Sequence, residues 1–207
     1  MKPTTSSPVG SAGVTAVGGT AARGTAARGT AAGAGGLGFR LATEQDWPLI
    51  WPFWHQIVAA GDTYCYDPAM SSDAGRRLWF GSPPDRVWLV TGSGVGRPDP
   101  GAVSLVLGSY RLGPNKAGPG SHIGTASYMV SETARGRGVG RAMVLHSLDQ
   151  ARAAGYRGVQ FNAVAASNEY AIKLYLELGF SVVGTVPGGF AHPERGFVDL
   201  LIMFHEL

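Results

Sequence analysis

The sequence is poor in cysteine, in long apolar runs and in clustered metal ligands, and each shortage excludes a class of protein. Its single cysteine, Cys65, cannot form an internal disulfide, and we therefore expect a cytoplasmic protein. The neighbours Tyr64 and Tyr66 supply no positive charge that would activate the thiol. No apolar run reaches the about 18 residues of a membrane span. We therefore predict no membrane partner. The five histidines lack metal-ligand spacing, so we also predict no metal.

The net charge of +3 belongs to the start of the chain. Residues 1–38 hold Lys2, Arg23 and Arg28 and no acid, while residues 39–207 hold 14 basic and 14 acidic residues. The second segment therefore has no broad basic face, and we expect no nucleic-acid partner. Residues 1–38 repeat a Gly-Thr-Ala-Ala-Arg unit and carry too few apolar side chains to bury. We predict a disordered low-complexity tail, or a misassigned start codon, before one domain over 39–207.

One glycine-rich segment, Arg135-Gly136-Arg137-Gly138-Val139-Gly140-Arg141, lies between a predicted strand at 123–130 and a predicted helix. Its glycines let the backbone turn tightly and approach a ligand closely. The N-terminus of the helix presents unpaired N–H groups and favours anions, and the three arginines add positive charge. The segment therefore predicts a pyrophosphate site. It has neither the lysine of a nucleotide triphosphate loop nor the Gly-x-Gly-x-x-Gly spacing of a dinucleotide fold.

A second block, Asn168-Glu169-Tyr170-Ala171-Ile172-Lys173-Leu174-Tyr175-Leu176-Glu177-Leu178-Gly179-Phe180, reads as a short amphipathic helix. Its apolar stripe has the i, i+3, i+4, i+7 spacing, and its members are Ala171, Leu174, Tyr175 and Leu178. Asn168 is a good N-cap, and Gly179 is a good stop signal.

Two further predictions concern helices. Pro52 should kink the helix that opens at Asp46, or delay its regular part to about residues 53–60. The helix predicted over 138–154 should turn one side toward the core, formed by Ala142, Leu145, Leu148 and Ala151.

Both blocks resemble the GCN5-related N-acetyltransferases (GNAT family), which transfer acetyl from acetyl-coenzyme A to amines. The first matches Arg/Gln-x-x-Gly-x-Gly/Ala, with Arg135, Gly138 and Gly140 on the fixed positions. The second matches Asn-x-x-Ala-x-x-Leu-Tyr-x-x-x-Gly-Phe at every fixed position. The resemblance covers roughly residues 39–207, where the predicted element order is β-α-α-β-β-β-α-β-α-β-β. It implies an α/β (α+β) fold, with a mixed, mostly antiparallel sheet flanked by helices in a single domain.

The resemblance also implies roles for individual residues, with acetyl-CoA as the co-substrate. Tyr175 occupies the proton-donor position of the family, with plain packing as the alternative. The base that takes the amine proton is not identified, and the candidates are Glu132, His122, Asp62 and Asp67. The implied cofactor contacts are the backbone of Met129 and Val130, the segment Arg135, Gly136, Arg137, Gly138, Val139, Gly140 and Arg141, and the cap residue Asn168.

Residues 113–122 and 161–164 further resemble a subgroup that includes the yeast L-azetidine-2-carboxylate acetyltransferases, which act on proline analogues. That resemblance implies that Thr125 and Asn162 bind the acceptor carboxylate, although the subgroup has Asn where Thr125 stands. Tyr64, with Tyr66 and Phe190, is expected to wall a small pocket.

The implied function is acetylation of a small-molecule amine by direct attack in a ternary complex, in a detoxifying role. The acceptor would be an amino acid or proline-analogue-like toxin, with a phosphinothricin-like compound next. The alternatives are a peptide or protein N-acetyltransferase, a non-catalytic acyl-CoA sensor, and an acyl donor longer than acetyl. The sequence leaves a homodimer open.

Overall fold

The structure is a computed structural model and describes residues 32–33, 36–92 and 105–207. Most of the predicted tail, and most of the Gly/Pro-rich turn predicted over 92–101, lie outside these residues. The strands are β1 (Ala32–Gly33), β2 (Leu37–Leu41), β3 (Arg86–Gly92), β4 (Leu105–Pro114), β5 (Ile123–Val130), β6 (Gly158–Ala165), β7 (Ser181–His192) and β8 (Gly196–Glu206). The helices are α1 (Trp47–Ala60), α2 (Ser72–Phe80), α3 (Val139–Ala153) and α4 (Glu169–Glu177).

The described strands form one sheet in the order β1-β2-β3-β4-β5-β6-β8-β7. Neighbouring strands are antiparallel except β5 and β6, which are joined by a crossover through α3 and run parallel. The element order after the two-residue β1 is the predicted one. The prediction of a mixed, mostly antiparallel sheet flanked by helices is confirmed.

The strands β5 and β6 pair only where they begin. Ile123 lies opposite Gly158 and Gly124 opposite Val159, and these are the ladder pairs recorded between the two strands. On its other side β5 stays paired with β4 as far as Val130. The edge of β5 from Thr125 onward therefore borders a wedge between the two strands, and this wedge positions the site.

Helices cover both faces of the sheet. The side chains of Val87 and Leu89 on β3 join an aromatic-rich cluster under α1 and α2, whereas the alternate residues Trp88 and Val90 join the cluster under α3. Alternate side chains of a strand point to opposite faces, so the two clusters are the cores of the two sides. Aromatic side chains from both cores reach the wedge, Tyr64 and Tyr66 from the cluster under α1 and α2, and Tyr128 and Tyr175 from the cluster under α3.

The delay predicted at Pro52 does not occur, because α1 is continuous from Trp47 through Pro52 to Ala60. Pro52 lies in the second turn, where its missing N–H removes one helical hydrogen bond. Burial of Ile50 and Trp54 on either side of it stabilises the helix by more than that loss.

One member of the predicted buried side of α3 is misplaced. Leu148 and Ala151 are buried, but Leu145 is 46% exposed. Steps of three residues fall short of the 3.6-residue turn, so the predicted stripe drifts off the core face. The residues actually buried on α3 are Val139, Met143, Val144, Ser147, Leu148 and Ala151.

Candidate active site

Two cavities lie along the wedge and meet in its middle. The loop-side cavity, of about 480 Å³, is lined by the glycine-rich segment together with Ile57, Val130, Ala134 and Tyr170. The strand-side cavity, of about 280 Å³, is lined by β5, β6, α4, Arg111 and the loop after α1. The residues common to both linings are Thr63, Tyr64, Tyr128 and Asn168. The two cavities are therefore halves of one cleft.

The glycine-rich segment turns into α3 through left-handed backbone. Gly136 has φ +72° and Gly138 has φ +74°, a conformation that side chains with a Cβ rarely adopt. A Cβ added at either residue would meet no atom within 4 Å, so the backbone faces open space. The first helical hydrogen bond runs from the N–H of Ala142 to the carbonyl of Gly138. The N–H groups of residues 139–141 thus have no acceptor within the helix and are available to an anion.

The structure brings most of the predicted cofactor residues to the loop-side cavity. Its lining includes Val130, Arg135, Gly136, Gly138, Val139, Gly140 and Asn168. Arg137 and Arg141 line neither cavity, and the guanidinium of Arg141 pairs instead with Glu177 of α4. Met129 also lines neither cavity, and its side chain is fully buried in the cluster under α1. Of the three arginines predicted to bind the pyrophosphate, Arg135 is thus the one that lines the cavity, together with the N-terminus of α3.

Tyr64 closes the junction of the two cavities. Its hydroxyl donates a 2.5 Å hydrogen bond to the main-chain carbonyl of Tyr128, and burial raises the pKa of Tyr64 well above its ordinary value. The hydroxyl of Tyr128 is in turn 2.7 Å from Ser147 Oγ, and burial also raises the pKa of Tyr128. Both phenols therefore stay neutral at physiological pH and act through hydrogen bonds and shape.

Tyr175 lies on α4 and lines the strand-side cavity. Its ring packs 4.6 Å from the ring of Phe161 and 6.4 Å from that of Tyr128, between centroids. Burial raises the pKa of the Tyr175 hydroxyl far above its ordinary value, so the group carries its proton throughout the physiological range. The packing and proton-donor roles are compatible in this geometry.

Thr125 and Asn162 both line the strand-side cavity, on β5 and β6. The amide of Asn162 is already bonded at both ends. Its Nδ2 donates to Asn115 Oδ1 at 2.6 Å, and its Oδ1 accepts from Gln160 Nε2 at 2.8 Å. One N–H of Nδ2 and one lone pair of Oδ1 take no part in these two bonds, so Asn162 is able to bond a ligand while keeping both.

Several expected residues are elsewhere. Phe190, expected in the pocket wall, is buried and lines neither cavity. The candidate bases Glu132, His122, Asp62 and Asp67 also line neither cavity. Glu132 accepts a hydrogen bond from Gln56. Of the predicted aromatic wall, Tyr64 and Tyr66 are in place.

Sequence reasoning missed Arg111, Ser127 and Tyr128, which all line the strand-side cavity. Arg111 is the only charged residue in β4, and such a charge within an apolar strand is a signal that could have been followed. Among the residues that the structure describes, no group of His, Cys, Asp and Glu could hold a metal, and no helix is long and apolar enough to cross a membrane.

Residues 51–180, more than half of the chain, match the sequence model of the acetyltransferase (GNAT) family. The chain belongs to the GNAT family. The predictions of this family, of its fold and of acetyl-CoA as the donor used by its enzymes are thereby confirmed.

Individual relatives agree with this assignment. The chain is 44% identical to a GCN5-related N-acetyltransferase from Kribbella flavida, with a TM-score of 0.75 over 83% of this chain and 98% of that one. It is 33% identical over 98 residues to the N-acetyltransferase aca1 of Schizosaccharomyces pombe, a match that spans only 47% of each protein. The fold is also similar to that of yncA from Salmonella typhimurium, described as a putative acetyltransferase and solved with its cofactor acetyl-CoA (TM-score 0.65, 21% identity, 83% of this chain and 94% of that one).

Proposed function

We propose that this GNAT protein transfers acetyl from acetyl-CoA to the amine of a small molecule, an amino acid or a proline analogue. The observation that carries the proposal is the divided cleft. Its loop-side half ends on the N-terminus of α3, and its strand-side half has a volume of only about 280 Å³. Pockets of this size suit small ligands rather than a peptide chain.

The donor occupies the loop-side half in this proposal. The N–H groups of residues 139–141 and the side chain of Arg135 hold the pyrophosphate, helped by the dipole of α3. The open edge of β5 at Val130 pairs with the pantetheine arm as an added strand would. Acetyl-CoA supplies an activated acetyl group at the junction of the two halves.

The residues around that junction supply the chemistry. A backbone N–H on the free edge of β5 stabilises the charge that develops on the carbonyl oxygen during attack. The amine nitrogen bonds to the carbonyl carbon, and the C–S bond then breaks. Tyr175 is protonated until then and gives its proton to the departing sulfur, and the proton lost by the amine returns through solvent to Tyr175. Asn168, which lines both halves, caps α4 by accepting a hydrogen bond from the N–H of Ala171. Its position at the junction suits a contact with the donor arm.

The physiological role that we propose is detoxification of an amino-acid analogue in the cytoplasm, in keeping with the lone cysteine. We also propose a homodimer as one possible assembly of this chain. Light scattering at micromolar protein would show whether a second copy binds. Growth of a host with and without the protein on L-azetidine-2-carboxylate would test the role.

The direct test is release of free thiol from acetyl-CoA by the full chain, across a panel of amines. The panel contains L-azetidine-2-carboxylate, cis-4-hydroxyproline, phosphinothricin, common amino acids and short peptides. We expect release with a small amino-acid-like acceptor. Release only with peptides would support a peptide N-acetyltransferase instead, and cofactor binding without turnover would support an acyl-CoA sensor.

A further inference from the structure

We infer that Arg111 anchors the carboxylate of the acceptor at the far end of the strand-side cavity, and that Asp85 positions its guanidinium. This inference rests on the proposed function. It names the acceptor class more narrowly: a small amine that carries a carboxylate.

The register of the sheet places Arg111 in the cavity floor. Arg111 on β4 lies opposite Ser127 on β5, and Gly113 lies opposite Thr125. Residues paired across two strands share a face, so the side chains of Arg111, Ser127 and Thr125 form one polar row. All three line the strand-side cavity. The Arg111 side chain is 20% exposed, so it is largely buried yet open to the cavity.

The guanidinium of Arg111 is fixed by two partners outside the cavity. Its Nη1 donates to the carbonyl of Leu78 at 2.7 Å, and its Nη2 donates to Asp85 Oδ2 at 3.1 Å. A guanidinium has five N–H donors, so donors remain for a ligand. Arg111 is therefore held in one orientation before any acceptor arrives, which lowers the entropy lost on binding.

Two glycines make room for Asp85. A Cβ on Gly113 would collide with Asp85 Oδ1, and a Cβ on Gly81 would collide with Oδ2. Gly81 also has φ +58°, which disfavours any other residue. Both carboxylate oxygens are thus seated against backbone, and the carboxylate meets the guanidinium from the side away from the cavity.

The charge of Arg111 acts on the cavity wall. Burial raises the pKa of Tyr66, and the positive charge of Arg111 acts in the opposite direction on the same phenol. Tyr64, Tyr66 and Phe161 enclose the space beside Arg111 with aromatic rings. A planar guanidinium beside apolar walls suits two-pronged recognition of a carboxylate on a compact apolar skeleton.

The test compares paired acceptors with wild type and with Arg111→Gln. The pairs are L-azetidine-2-carboxylate and cis-4-hydroxyproline, each with its primary carboxamide. We expect Arg111→Gln to raise KM for the carboxylates about tenfold or more, with a smaller effect on kcat. KM for the carboxamides should be unchanged. Acid and amide differ in the pKa of their amines. Because KM for each acceptor is compared between wild type and variant, that difference does not affect the result.

Controls separate anchoring from a purely structural role. Arg152→Gln removes an arginine that forms an ion pair with Asp149 and lines neither cavity, and it should leave both KM values unchanged. Arg111→Lys keeps the charge without the fork and should raise KM for the carboxylates less than Arg111→Gln does. If Arg111→Gln does not fold, Arg111→Lys and Asp85→Asn carry the test, and each should reduce the preference for the carboxylate.

Binding without turnover gives an independent readout. Calorimetric titration into the CoA-saturated protein should show tighter binding of each carboxylate than of its carboxamide, and Arg111→Gln should abolish that difference. If Arg111→Gln weakens binding of acid and amide equally, or weakens neither, Arg111 does not anchor the carboxylate. That result would leave the proposed acetyl transfer intact. If none of the acceptors tested leads to thiol release from acetyl-CoA, the proposed function itself is overturned.

Discussion

The hydroxyl of Tyr64 donates a 2.5 Å hydrogen bond to the main-chain carbonyl of Tyr128. This bond fastens the loop after α1 to β5 at the point where the two cavities meet. Tyr128 lies on β5, which pairs with β4 on one side and borders the open wedge on the other. The loop and the strand edge are therefore held as one wall, and the position of one fixes the position of the other.

Removing that bond should loosen the wall. We expect Tyr64→Phe to lower the free energy of unfolding by about 1 kcal/mol, because the buried carbonyl of Tyr128 loses its side-chain donor. KM for the acceptor should rise, because the aromatic wall is no longer fixed. Urea unfolding and initial rates measure the two effects. Unchanged stability together with unchanged KM would show that the bond does not organise the wall.

Tyr175→Phe should lower kcat by about 100-fold or more without changing the Kd of acetyl-CoA, because only the proton donor is lost. Burial raises the pKa of Tyr175, so its ionisation should cause no loss of activity up to about pH 10. Tyr156→Phe is the matched control, because Tyr156 lines neither half of the cleft. An unchanged kcat in Tyr175→Phe would remove this residue as the donor.

The parts of the site that could be predicted are those written in consecutive residues. The turn from Gly136 to Gly140 and the cap of α4 at Asn168 depend on local backbone conformation, and glycine and asparagine report that conformation directly. The order of strands and helices follows from the same local signals. Hence the loop-side cavity contains most of the residues expected there.

The strand-side cavity depends on contacts between distant segments, which local patterns do not encode. Arg111 and Ser127 are brought together by the register of β4 on β5. Gly113 is needed because Asp85 occupies the space that a side chain would fill, and that contact is visible only in the structure. Phe190 shows the converse. Its type suggested a pocket wall, but pairing of β7 with β8 opposite Val198 buries its ring away from the cleft.

Asp46 offers a test of acid stability. Its hydrogen bonds from the Arg40 guanidinium lower the pKa of the carboxyl from 3.8 to about 2, despite some burial. A lowered folded-state pKa stabilises the protein above the unfolded pKa, and the effect is lost as pH falls toward 2. Arg40 is 47% exposed, so solvent screening limits the contribution to about 1 kcal/mol.

Asp46→Asn should therefore destabilise the protein at pH 7, and the effect should shrink steadily as the pH falls to about 2. Urea unfolding at several pH values measures the difference between variant and wild type. Asp73→Asn is the control, because Asp73 is 77% exposed and its ion pair with Arg76 spans 3.5 Å. A difference that stayed constant across this range would exclude the ion pair as its cause.

Two glycines of similar geometry separate backbone strain from ligand contact. Gly138 has φ +74° at the start of α3, and Gly155 has φ +82° just beyond its end. A Cβ at either would meet no atom within 4 Å, but Gly138 lines the loop-side cavity and Gly155 lines neither half of the cleft. Gly138→Val and Gly155→Val should each lose about 1–2 kcal/mol of stability from the left-handed backbone.

Only Gly138→Val should lose affinity for acetyl-CoA, because its branched side chain would project into the space proposed for the pyrophosphate. Calorimetry with acetyl-CoA and with dephosphorylated pantetheine compounds would locate the loss. The pantetheine compounds lack the pyrophosphate, and their affinity should be nearly the same for wild type and variant. Equal affinity of Gly138→Val and Gly155→Val for acetyl-CoA would show that the turn before α3 shapes the backbone without holding the phosphates.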